Sequence, residues 1–221
     1  MARHRRRGRA GRTAVALLAV TALAAGGACG SDEGDDAASE ASPATLQGLT
    51  RPEPLAVGEL ALPVAATGEP RPLRAAPGEL LAVYFGYLSC PDVCPTTMAD
   101  LESALAELDP DDAERVEVAF VTVDPERDDA ERLDSYLDHF FDRYQGLRTE
   151  DPAELARVED AFLATSALTP DAEGGYDVTH SATTYVVDEA GTVLVEWAFG
   201  TPADVMAADL AILLDDRPVA A

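Results

Sequence analysis

The sequence predicts an α/β domain with a mixed central sheet flanked by helices, and three observations carry that expectation. Residues 80–87 are a continuous apolar run, and residues 116–123 a second, mostly apolar stretch, with the length and composition of strands buried on both faces. Segments with apolar residues three and four apart follow each run, as amphipathic helices require. Near the end, residues 183–187 and 192–198 flank Asp188-Glu189-Ala190-Gly191, a hairpin turn.

In chain order, residues 60–62 and 70–73 form a short hairpin around Thr67-Gly68, an extension ahead of the main sheet. After the first buried strand, Met98, Leu101, Leu105 and Leu108 share one helical face. The second strand leads to a helix opened by Asp128, with Glu131 completing a capping box and Leu133, Leu137 and Phe140 on its stripe. Asp151-Pro152-Ala153-Glu154 starts a third helix, which turns Leu155, Val158 and Phe162 inward. A last helix follows Thr201-Pro202, with Met206, Leu210 and Leu213 inward. The order β, α, β, α, α, β, β, α implies a parallel pairing with a right-handed crossover, then an antiparallel edge. A β-α-β half followed by a β-β-α half is the thioredoxin arrangement.

The N-terminus reads as a targeting segment. Residues 1–12 carry six Arg, residues 13–25 are small and apolar, and Gly26-Gly27-Ala28-Cys29 follows. A charged stretch, a short apolar stretch and small residues before a break describe a secretory signal, residues 1–28. The apolar stretch is shorter than the ~20 residues that span a bilayer. Cys29 after small residues resembles a bacterial lipobox, with Gly26 where Leu is usual. Cleavage before Cys29 would leave it N-terminal and lipidated. Residues 29–54, rich in Asp, Ala, Ser and Pro, then read as a flexible acidic tether. The folded domain is expected over residues 55–221, at the outer face of the cell membrane.

Charge excludes one class of partner. The chain has 41 Asp and Glu against 16 Arg, no Lys, and a formal net charge of −25. Such a surface repels phosphate backbones, so nucleic acid is not a partner. It also argues against broad self-association, and a monomer is expected.

The chemistry gathers at Cys90-Pro91-Asp92-Val93-Cys94-Pro95, where the first strand ends and the first helix begins. Ligand sites in open α/β sheets lie at the carboxyl ends of strands. Pro95 fits the first helical position, placing Cys94 near the N-cap, where the helix dipole lowers a thiol pKa. Four positions apart, the two sulfurs can close a disulfide or grip one ion. A purely structural disulfide closing so short a loop would restrain the unfolded chain little. His4 lies in the signal and His139 among charges on a helix. That leaves His180, in the loop entering the strand at 183, either as a histidine bonded in its loop or as a third ligand facing the Cys pair. Two soft thiolates and one imidazole suit Cu(I), and Cu(II) with added ligands. A structural zinc site would want a fourth protein ligand.

These residues carry a family resemblance. LAVYFGYLSCPDVCPTTM (81–98), the stretch with VDPERD (120–128) and VTHS (178–181) are similar to the signatures of the Sco/SenC proteins, over roughly residues 55–215. The family comprises copper-binding, thioredoxin-like factors of cytochrome c oxidase assembly. The resemblance implies Cys90, Cys94 and His180 as copper ligands, with the Cys pair also a redox-active dithiol. It implies a membrane-anchored domain outside the cytoplasm that delivers copper to the binuclear site of oxidase subunit II, or reduces that subunit's thiols. Family members commonly have Asp before the His; here Thr179 stands there. Asp92, Asp124 and Asp177 are the candidates to support the site from behind, since a carboxylate often orients a ligand His.

Two functions compete. A metallochaperone uses the sulfurs and His180 to hold and pass on copper. A thiol–disulfide oxidoreductase uses the sulfurs alone. Thioredoxin-type enzymes have two residues between their Cys and a Pro facing them; here three intervene and residues 179–184 contain no Pro. Peroxide reduction, which would enlist Arg127 or Arg148 beside a single Cys, fits the paired motif poorly.

Overall fold

The computed structural model describes residues 45–172, 174–215 and 217. A hairpin opens it, β1 (Ala61–Pro63) against β2 (Pro70–Pro72), turning at Gly68 with φ of +72°. Then come β3 (Leu80–Gly86), α1 (Val93–Ala106), the short α2 (Pro110–Ala113) and β4 (Val116–Thr122). They are followed by α3 (Ala130–Leu137), β5 (Tyr144–Leu147) and α4 (Pro152–Phe162). A second hairpin, β6 (Ser166–Pro170) and β7 (Tyr176–His180), precedes β8 (Thr183–Val187), β9 (Val193–Ala198) and α5 (Ala203–Asp215).

The main sheet has the order β5-β4-β3-β8-β9. β3 and β4 are parallel, as are β4 and β5; β8 is antiparallel to both β3 and β9. The sheet is mixed, and the fold is thioredoxin-like. Every residue of β3 is buried, because both faces are covered. Leu80, Ala82 and Tyr84 meet Met98 and Leu101 of α1 and Leu210 of α5. On the opposite face, Leu81, Val83 and Phe85 meet Val158 and Phe162 of α4 and Leu62 and Leu73 beside the first hairpin. Each Leu, Val, Met or Phe among them gains about 1.5–3 kcal/mol on leaving water. The ends of β3 and β4 are therefore fixed points from which loops can present chemistry.

The expected helices and the β8–β9 hairpin are in place, with four departures. Asp129, not Asp128, caps α3, its carboxylate accepting from the Arg132 N–H. Asp128 is instead fully buried. α3 ends at Leu137, so Phe140 lies in the turn beyond it. β5, β6 and β7 stand where no strand was expected, and His180 ends a strand rather than sitting in a loop. Part of the expected tether is docked: Leu49 pairs with Glu196 on β9, and Asp209 of α5 accepts from the N–H groups of Gln47 and Gly48. The signal segment, Cys29 and tether residues up to 44 lie outside the described residues.

Candidate metal centre

The loop leaving β3 and the first turn of α1 carry both cysteines. Val93 is the first helical residue, which puts Cys94 second and Pro95 third, still within the turn whose N–H groups lack helical partners. Cys94 is fully buried and Cys90 half-buried, and both are free thiols. The Cys94 N–H donates to Cys90 Sγ at 3.3 Å. Gly86, which ends β3, makes room for this packing. A Cβ there would lie 2.8 Å from the Tyr84 and Phe120 rings and 3.0 Å from Cys94 Sγ.

His180 arrives from the far side, on the inward face of β7. Its Nε2 is 3.4 Å from Cys94 Sγ. Its Nδ1 lies 2.9 Å from the Ser181 carbonyl, which can only accept, so Nδ1 carries the proton and the Nε2 lone pair points at the sulfur. Tyr84 and Tyr87 meet the imidazole edge-on, with centroids 6.0 and 5.6 Å away. One donor atom from each of Cys90, Cys94 and His180 lies within 4.8 Å of the others.

The two thiols are unequal. Burial pushes Cys94 up to about 12, with the neighbouring Cys90 sulfur adding to the rise. Burial also opposes ionisation of Cys90. There it is outweighed by the backbone N–H groups of Cys94 and Asp92 and by side-chain bonds from Cys94 and Tyr87, so Cys90 falls below its ordinary value. The helix start therefore favours the thiolate of Cys90. The sequence pointed to Cys94 because proximity to the helix start was visible and burial was not.

None of the three candidate carboxylates meets the imidazole. Asp92 is exposed at the start of α1 and makes no side-chain cap. Asp177 faces outward on β7. Asp124 is fully buried, but its carboxylate accepts from Tyr176 Oη at 2.7 Å and from Arg127 Nε. The imidazole is oriented by a backbone carbonyl instead. Residues to which the sequence assigned no part in the site also shape it. Tyr84 Oη approaches Cys94 Sγ at 3.7 Å. Asp128 accepts from the Leu88 N–H at 3.0 Å and from Thr122 Oγ1 at 2.7 Å. Asp128 sits in the motif around 120–128, yet nothing in its spacing distinguishes an inward carboxylate from a helix cap.

Known proteins resemble this chain in sequence and fold. A family profile described as SCO1/SenC matches residues 61–215. The mitochondrial SCO2 homolog of Danio rerio is 36% identical over 127 residues, 57% of this chain and 45% of its own length. The chain thus spans about half the length of that relative. Apo Sco1 from Thermus thermophilus superposes with a TM-score of 0.64 at 32% identity, covering 79% of this chain and 98% of that one. Bradyrhizobium japonicum ScoI, solved with copper bound, gives 0.59 at 30% identity, over 72% and 96%. With the family profile matched from the first hairpin to the last helix, the chain belongs to the SCO1/SenC family.

Proposed function

We propose that this chain is a copper-binding chaperone of cytochrome c oxidase assembly, in which Cys90, Cys94 and His180 hold Cu(I) as cargo. The observation that carries the reading is the gathering of two free thiols and an imidazole within 4.8 Å. The donor set fits the ion, since soft thiolates and one nitrogen suit Cu(I) at low coordination number. The copper-bound Bradyrhizobium japonicum relative supports the same reading. The recipient is proposed to be the binuclear copper site of subunit II. Cys29, lipidated after removal of residues 1–28, would hold the domain at the outer face of the membrane. Among the described residues no helix is long and apolar enough to cross one.

The residues divide the work. Cys90 is partly exposed and the more acidic thiol, so it meets an incoming ligand first. Cys94 and His180 hold from behind, the imidazole kept in the ligating tautomer by the Ser181 carbonyl. The same inequality favours a second reading, reduction of a partner disulfide. The Cys90 thiolate would attack the partner's S–S bond, and Cys94 would then displace the partner's second sulfur. The partner leaves as a dithiol and Cys90–Cys94 is left oxidised.

Titration of the reduced protein with Cu(I) under a competing chelator tests the first reading. The parent is expected to bind one Cu(I) per chain. Cys90→Ser and Cys94→Ser should each lose more than the about 10–100-fold that removal of an outer supporting group costs. His180→Ala should bind markedly more weakly while its disulfide potential stays near the parent's. Parent-like affinity in His180→Ala would leave only the dithiol reading.

A further inference from the structure

The two halves of the site are tied to a single turn. Residues 123–129 follow β4, and the Asp128 N–H bonds back to the Asp124 carbonyl at 3.0 Å. Both carboxylates are fully buried and each reaches in a different direction. Asp128 accepts from the N–H of Leu88, two residues before Cys90. Asp124 accepts from the hydroxyl of Tyr176, which stands with Val178 and His180 on the inward face of β7. Arg127 completes the second link: its Nε bonds to Asp124, its Nη1 lies 3.5 Å from the Tyr176 carbonyl, and its guanidinium stacks 4.2 Å from the Tyr176 ring centroid. The turn is itself held from below, where Arg148 donates to the carbonyls of Pro125 and Asp128 at 2.8–3.1 Å.

β7 needs such a tie. It pairs with β6 in a two-stranded sheet outside the main one, and no residue of either strand is fully buried. An isolated two-stranded hairpin is marginal in water. The depth at which His180 sits therefore depends on what fastens the hairpin to the domain. Asp124 holds the opposite end of the strand from His180, and residues two and four apart on a strand move as one face.

We propose that the Asp124–Asp128 turn is a bracket that sets the sulfur-to-imidazole spacing, Asp128 fixing the cysteine loop and Asp124, with Arg127, fixing the histidine arm through Tyr176. This rests on the copper-site reading, and it makes Asp124, Arg127, Asp128 and Tyr176 positioning residues that touch no metal. Loosening one link lowers the fraction of molecules whose three donors are already in place, and apparent affinity falls by that fraction.

Tyr176→Phe tests the bracket, because it removes one hydroxyl and keeps the ring under Arg127. The full chain is titrated with Cu(I) as parent, Tyr176→Phe, His180→Ala and the double variant. Tyr176→Phe should weaken binding by about three- to tenfold, as a competent fraction cut to that degree requires. In the His180→Ala background the same change should do nothing, since there is no imidazole left to place. A general loosening of the fold would weaken both backgrounds alike and would overturn the proposal. So would parent-like affinity in Tyr176→Phe while His180→Ala remains weakened. A parent that binds no Cu(I) would instead overturn the copper reading itself. Side-chain nitrogen relaxation of His180 gives an independent measure. The imidazole should become more mobile in Tyr176→Phe, and unchanged relaxation counts against the bracket.

Discussion

Cys90, in the loop after β3, and Cys94, in the first turn of α1, belong to the main core, whereas His180 ends a strand of an arm outside the five-stranded sheet. The cysteine side is held by volume. β3 is buried along its whole length, Cys94 packs among Tyr84, Met98 and Phe120, and Gly86 leaves no space unfilled. The histidine side has Val178 against the core and two tyrosine rings at the imidazole edge, and is otherwise held by a few polar links, among them those from Asp124 and Arg127 to Tyr176. Apolar packing fixes position over many small contacts and tolerates little change, while a polar link is one or two bonds that can be cut singly. A site built from both has a rigid half that defines what is bound and a separately adjustable half that defines how firmly.

The largest expected effect contrasts the two sulfurs within the rigid half. With its pKa raised to about 12, Cys94 is almost wholly protonated at pH 8, whereas Cys90 titrates below its ordinary value. Their thiolate fractions then differ by ~10³-fold or more. The stronger intrinsic nucleophilicity of the less acidic sulfur returns part of that. Burial denies the reagent access to Cys94 and acts in the opposite direction. Alkylation of the reduced protein by iodoacetamide at pH 8, followed by peptide mass spectrometry, should modify Cys90 at least about 10-fold faster, the net of the first two terms before burial adds to it. Equal rates would mean that the core does not enclose Cys94. The same shift has a stability consequence. The folded protein keeps a proton on Cys94 that the unfolded chain gives up, so this contribution is present below the ordinary thiol range and is lost as pH rises towards about 12.

Next in size is Gly86→Ala. The added methyl would meet two aromatic rings at 2.8 Å and Cys94 Sγ at 3.0 Å, all enclosed by β3, β4 and α1. Overpacking of this kind costs about 1–3 kcal/mol. Urea denaturation should show the loss as a lower midpoint at unchanged slope. A neutral result would show the cysteine side to be as compliant as the arm, and the contrast between them would fail.

The sequence disclosed the rigid half far better than the adjustable one, for a physical reason. Buried strands announce themselves, β3 as an unbroken apolar run and β4 as a mostly apolar one, and a Cys pair at the strand-to-helix junction points to chemistry without further help. β6 and β7 are five residues each, half-exposed and drawn from Ser, Ala, Leu, Thr, Pro, Tyr, Asp, Val and His, so no apolar run marks them, and the alternation of β7 is too brief to stand out. β5 is four residues long and contains Gly146, which hides it in the same way. His180 was legible as a ligand candidate chiefly through the Thr-His-Ser motif. Its strand, and the Ser181 carbonyl that orients it, depend on pairing with a partner that the local sequence does not name. Asp124 and Asp128 show the same limit. Their side chains are as polar as any on this acidic surface, and only the fold reveals that both are buried and committed to opposite walls of the site.

The smallest expected effect lies at the outer part of the arm and separates a bracket from a generally fragile hairpin. Leu168, at the centre of β6, is 50% exposed and pairs across from Val178. Replacing it with Ser removes little buried area, and surface substitutions away from caps, cores and networks stay within about 0.5 kcal/mol. If Asp124 and Tyr176 fasten the arm, Leu168→Ser should leave both the urea midpoint and the Cu(I) affinity close to the parent's, because the link lies on the other strand and beyond the substitution. A loss of affinity equal to that of Tyr176→Phe would mean that the imidazole is placed by the hairpin's own apolar contacts. The adjustable half would then be spread over the whole arm, and no single hydroxyl could be said to set it.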